Sequence, residues 1–302
     1  MSEPFICYES LITFYFVLMT LDQAILPTLF WGLLSSLIFG AGDFCGGLAS
    51  KKNTTFTVVV GAHFVGGILM LLAALVTGEP LPAFVDWGWG AAAGIAGATA
   101  LMLFYRALAN GRMGVVAPMT AVISAAIPIV WGAVFEGLPT WLRLLGFMIA
   151  LAAVFFISLD EESGRPQLKE LLFPFLAGVG FATFFILVDQ VENGSVFWPL
   201  VSARIASVTL FGVLGLATVQ LKRPENSTIG TIALAGVFDT LGNAFFIIAT
   251  QVGRFDVASV MGSLYPASTI FLARIVLNER LVFVQWVGVI LALFAVVLIA
   301  LA

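Results

Sequence analysis

The chain has 302 residues, 61% of them apolar and 10% charged, with a formal net charge of −4. An ordinary soluble domain carries about 25% charged residues, so this composition excludes water as the main solvent of its surface. The acidic balance and the lack of any basic run argue against a nucleic acid partner.

Inside a bilayer, backbone groups must pair within the chain, so long apolar runs fold as helices. About 20 residues cross ~30 Å of hydrocarbon. Ten runs reach that length, near 28–49, 55–77, 87–109, 115–135, 141–159, 171–189, 197–220, 228–250, 257–277 and 282–302. The expected fold class is an all-α, multi-pass integral membrane protein with ten transmembrane helices, placed in the cell membrane. Its environment is the lipid bilayer.

Residues 1–27 precede the first run. Phe5 to Met19 is apolar but short, contains Glu9 and lacks a basic flank, which makes it a poor signal peptide. It reads as an N-terminal extension. Span 1 carries Asp43 within Gly40-Ala41-Gly42-Asp43, and span 2 carries His63, the single histidine. Span 4 holds Pro118 and Pro128. Residues 160–170, DEESGRPQLKE, form the one sustained charged segment and read as a solvated linker. Arg204 lies in span 7, Asp239 and Asn243 lie four apart in span 8, and Tyr265-Pro266 interrupts span 9. Cys7 and Cys45 make no disulfide or ligand framework and read as apolar filler.

The chain contains itself twice. At a constant offset of 142 residues, Leu29 meets Leu171, Phe39 meets Phe181, Gly94 meets Gly236 and Phe104 meets Phe246. The match continues with Gly111-Arg112 on Gly253-Arg254, Met119 on Met261, Gly146 on Gly288 and Ala153-Val154 on Ala295-Val296. One offset over most of the chain marks a duplication. It divides the chain into repeats 28–159 and 171–302. Five spans per repeat is an odd number, so the two copies are expected to cross the membrane in opposite directions. That predicts two inverted five-helix repeats with a substrate site near the midplane and alternating access.

Each repeat ends in a similar passage: Phe135-Glu136-Gly137-Leu138 leading to Leu145-Gly146, and Leu277-Asn278-Glu279-Arg280-Leu281 leading to Val287-Gly288. This resembles the EamA family of the drug/metabolite transporter superfamily, over about residues 28–302. The resemblance implies ten helices from two repeats, and transport of amino acids, nucleotide-related solutes, drugs or other small metabolites. Two departures stand out: Ser124 occupies the offset position of Pro266, and Asn278 replaces the glycine usual before the second glutamate.

Ionisable groups at membrane depth are costly and usually mark a pathway or a paired site. The candidate substrate-binding residues are therefore Asp43, His63, Arg204, Asp239, Asn243 and Tyr265. Arg204 aligns with Ala62, beside His63. It is expected either to clamp an anionic group of the cargo or to pair with an acidic side chain. Asp239 is expected to accept an ammonium or a proton, and His63 titrates near neutral pH in its ordinary state. Glu136 and Glu279 read as helix-end residues in tight turns.

No H-E-x-x-H, Walker loop or dinucleotide fingerprint appears, so neither metal nor cofactor is expected, and transport would run on an ion gradient, protons included, or on exchange. Two other readings fit parts of the sequence: a non-transporting membrane scaffold, and an intramembrane aspartyl protease using Gly40-Ala41-Gly42-Asp43 and Phe238-Asp239. Against the protease, the motif order is reversed, and Phe185 and Gly97 stand at the repeat positions of the two aspartates. Not an enzyme is the expectation.

Overall fold

The computed structural model describes residues 25–110, 113–157, 168–191, 194–277 and 283–301. The expected N-terminal extension, up to residue 24, and most of the expected charged linker lie outside the described residues, as do Asn278 and Glu279. Among the described residues the fold is all-helical. The helices are α1 (Ile25–Ser50), α2 (Thr55–Thr77), α3 (Phe84–Asn110), α4 (Met113–Phe135) and α5 (Trp141–Ile157). They continue as α6 (Leu168–Asp189), α7 (Phe197–Ala217), α8 (Ile229–Val252), α9 (Phe255–Gly262), α10 (Tyr265–Leu277) and α11 (Phe283–Ala300).

Six of these, α1, α2, α3, α6, α7 and α8, are long and apolar enough to cross a membrane. Met119–Phe135, Trp141–Phe156 and Trp286–Ile299 are shorter apolar stretches. Large apolar side chains such as Phe30, Leu75, Val130 and Leu293 stand exposed on the outside, as lipid contact requires. This is an integral, multi-pass membrane protein.

Span 9 differs from the continuous helix of span 4. It splits at Ser263–Leu264 into α9 and α10. Pro266 sits in the first turn of α10, where its missing N–H costs nothing; one turn deeper in a continuous helix it would remove a bond and press on the preceding turn. Its offset partner is Ser124, and α4 runs uninterrupted through that position.

The helices pack mostly across the halves. The most extensive pairings are α1 with α8, α5 with α11, α3 with α6, α3 with α7, α4 with α6, α2 with α7, and α2 with α8. Exchange the halves by the 142-residue offset and this pattern maps onto itself: α1–α8 becomes α6–α3, and α3–α7 becomes α8–α2. Small residues make the crossings close. A Cβ at Gly94 would strike the Ala203 backbone, and one at Gly236 would strike the Ala62 backbone. Hydroxyls add interhelical bonds, with Ser35 Oγ donating to Gly242 O (2.8 Å) and Thr269 Oγ1 to Gly40 O (3.1 Å).

Loop contacts define two rims. At the first, Asn53 Nδ2 donates to Thr228 Oγ1 (2.9 Å), Thr57 Oγ1 donates to Lys222 O (2.8 Å) and Lys52 approaches Glu225 (3.8 Å). At the second, the Glu79 carboxylate accepts from the N–H groups of Val196, Phe197 and Trp198, capping the start of α7. Glu136 Oε1 there accepts from Phe255 N (2.9 Å), and Arg254 grips Asp256 through Nε (3.1 Å) and Nη2 (2.8 Å). Gly137 takes φ +93° in the turn after α4, a conformation other residues avoid.

Helix α2 joins the rims, its 23 residues spanning roughly 34 Å at ~1.5 Å per residue. It starts at the first rim, whereas its counterpart α7 starts at the second. These two corresponding helices therefore run in opposite directions.

Candidate functional site

All six residues singled out from the sequence converge on one cavity. Asp43 comes from α1, His63 from α2, Arg204 from α7, Asp239 and Asn243 from α8, and Tyr265 from the first turn of α10. Phe39, Phe181, Phe184, Phe185, Leu101 and Ser124 complete much of the wall. The cavity offers about 40 Å³ to the centres of water molecules, which at about 10–15 Å³ each is room for about three waters.

Arg204 is the hub. Its Nη2 donates to Asp239 Oδ2 at 2.6 Å, and its Nη1 donates to His63 Nε2 at 3.0 Å. A guanidinium only donates, so Nε2 of His63 must accept, which fixes the neutral imidazole with its proton on Nδ1. That proton goes to Ser207 Oγ (2.8 Å), and Ser207 Oγ in turn donates to Arg204 O (3.2 Å). His63 thus orients Arg204. Of the two expectations for Arg204, the geometry matches pairing with an acidic side chain. Asn243 Nδ2 donates to the Asp239 backbone oxygen one turn earlier, at 2.8 Å.

Three polar groups of the site lack a partner. Among the described residues, Asp43 has no hydrogen-bond or ion-pair partner, and Tyr265 Oη and Arg204 Nε are buried without one. Tyr265 is only 6% exposed and its ring stands edge-on to Phe104, centroids 6.1 Å apart.

The cavity straddles the repeat relation. Four offset pairs line it together: Phe39 with Phe181, Asp43 with Phe185, Asp239 with Gly97, and Asn243 with Leu101. In three of them one member is polar and its counterpart apolar. The aromatic wall escaped sequence reasoning, although the Phe39–Phe181 identity in the repeat was a usable signal. Ser207 carried no such signal.

The family comparison agrees with this doubled layout. The profile of the EamA-like transporter family matches the chain twice, over residues 26–159 and 168–301. The chain belongs to the EamA-like transporter family. No curated protein matches it. Among solved structures, a crystal structure described only as that of a protein is similar over 90% of this chain and 97% of its own, with a TM-score of 0.73. At 13% identity that likeness concerns the fold alone.

As an EamA-like transporter, the chain has a membrane-transport role with a small-molecule cargo. What its own residues supply is a cavity between the halves with a neutralised arginine, an open carboxylate, an open phenol and an aromatic wall.

Proposed function

We propose that the chain is a secondary transporter that moves a small metabolite (an amino acid, a nucleotide-related or a drug-like solute) by alternating access. Ten membrane crossings are divided between inverted repeats 28–159 and 171–302, with 1–27 as an extension and 160–170 as a linker. The observation that carries this reading is the cavity lined by offset pairs of residues: a site on the repeat axis is reachable from either rim by the same rocking motion. Coupling is assigned to the Arg204–Asp239 pair, since a proton on Asp239 neutralises it and frees Arg204 to change partners.

The test is counterflow in proteoliposomes across a panel of metabolites. Exchange of at least one solute is expected, and none across a broad panel would turn the reading toward a scaffold. With a substrate in hand, Asp239→Asn keeps an oxygen toward Arg204 but cannot exchange a proton. It is expected to lose gradient-driven accumulation and keep exchange. An unchanged pH profile of accumulation would remove Asp239 from coupling.

The charge rule favours the first rim as the cytoplasmic one, against the orientation that the family resemblance implies. Lys51, Lys52, Lys222 and Arg223 gather there, and Lys and Arg favour the cytoplasmic side of short loops. Among the described residues the second rim carries only Arg143 and Arg254. A cysteine at position 52, whose native side chain is 55% exposed, is expected to resist an impermeant thiol reagent in intact cells and react after permeabilisation. Ready labelling of intact cells reverses the orientation.

The protease reading gains one observation: Asp43 and Asp239 do line the same cavity. An aspartic dyad, however, needs two carboxylates sharing a proton. Asp239 is held by Arg204 at 2.6 Å, which leaves that chemistry without its second partner.

A further inference from the structure

The cavity's charge inventory says what it can hold. Its ionisable lining is Asp43, His63, Arg204, Asp239 and Tyr265. Arg204 and Asp239 cancel each other at 2.6 Å, and His63 is fixed as a neutral acceptor by the Arg204 Nη1 contact. Asp43 is left over. Ionised, it makes the cavity negative by one charge; protonated, it makes the cavity neutral. As long as Asp239 is ionised and paired with Arg204, in neither state of Asp43 is the site positive. An anionic cargo would have to break Arg204 away from Asp239 and His63, and while Asp239 is ionised that leaves a largely buried carboxylate unpaired, which is costly.

The rest of the wall suits a cation. Phe39, Phe181, Phe184, Phe185 and Tyr265 surround the site, and aromatic faces attract ammonium groups by about 0.5–2 kcal/mol. The offset pairs divide the cavity into a polar side (Asp43, Asp239, Asn243) and an apolar side (Phe185, Gly97, Leu101). A solute with a charged head and an apolar body fits that division. Tyr265 Oη and Arg204 Nε are buried without partners beside this space.

We propose that this chain's cargo is an organic cation with an apolar or aromatic body, and that Asp43 is its counter-ion. The proposal rests on the transporter reading above and names its substrate class.

The experiment uses the full chain purified in detergent and two size-matched probes: benzyltrimethylammonium, a permanent cation, and 3-phenylpropanoate, an anion. Equilibrium binding is measured for wild type, Asp43→Asn and Asp43→Glu, with thermal melting of each variant as a control on folding. Wild type is expected to bind the cation at least about tenfold more tightly than the anion. Asp43→Asn should lose about tenfold or more, which is ~1.4 kcal/mol, at unchanged melting temperature. Asp43→Glu restores the charge and should recover most of the affinity. Equal or tighter binding of the anion overturns the proposal. So does unchanged cation binding in Asp43→Asn, or no cation binding by wild type up to about 10 mM. Should Asp43→Asn melt early, Asp43→Glu decides: a folded variant with a retained cation preference supports the counter-ion role, and a lost preference removes it. Counterflow of the same probes separates the two readings. Binding of the cation, with no counterflow of it or of any solute in the metabolite panel, sinks the transport reading and leaves the cation site standing. Counterflow of the anion alone keeps transport and overturns the cation site.

Discussion

Arg204→Leu is expected to destabilise the protein by about 3–5 kcal/mol, the usual effect of removing one partner from a buried ion pair. Asp239 would keep a carboxylate at a side-chain exposure of 17% with no cation beside it. His63 would lose the donor to Nε2. The double variant Arg204→Leu, Asp239→Leu removes both charges together and is expected to recover most of that loss, because apolar replacement of a whole buried pair is often neutral or stabilising. The measurement is melting in detergent, with the fraction of folded protein read by gel filtration. A double variant no more stable than the single would mean that the pair is not the unit of energy described here. Transport should be absent in both, so stability and activity separate in the double variant.

The second large effect is steric. At Gly94 an added Cβ would meet the carbonyl oxygen of Ala203, and at Gly236 that of Ala62. Neither neighbour is a flexible side chain, so the helices themselves must separate. Gly94→Ala and Gly236→Ala are each expected to cost about 1–3 kcal/mol, the range of overpacking, and together to prevent folding. Gly212→Ala is the control, because nothing lies within 4 Å of its added Cβ. It is expected to be neutral or to gain a few tenths of a kcal/mol from helix propensity. Measured yields and melting temperatures that did not separate these positions would contradict the close crossings of α3 with α7 and of α2 with α8.

Of the ten expected spans, six are helices long and apolar enough to cross a membrane, and their boundaries were legible because apolar runs end at turn residues. Span 2 was expected at 55–77 and α2 is Thr55–Thr77. Pro266 marked the break in span 9, though not that two separate helices would result. The six polar candidates were legible by contrast, each a costly group in an apolar run. Their partnerships were not. Arg204 and Asp239 are 35 residues apart on different helices, and no spacing rule relates them. Their pairing follows from the packing of α2, α7 and α8 together, which sequence periodicity does not encode. Phe184 and Phe185 were invisible for the opposite reason: in a chain with 28 phenylalanines, two more carry no contrast. Only the fold shows which face inward.

One crossing has a bearing on the chain's ancestry. An added Cβ at Gly42 would sit 3.1 Å from the Asp239 backbone, while one at Gly97 would meet the Phe184 ring at 2.9 Å. By the 142-residue offset these are the same contact seen from the two halves, with Gly42 standing for Phe184 and Gly97 for Asp239. A dimer of two first halves would bring Gly42 against Gly97 and leave a hole. A dimer of two second halves would drive Phe184 into Asp239. At this crossing the two copies have diverged, one contact being a glycine on backbone and the other a glycine under an aromatic ring, so the halves are no longer interchangeable there.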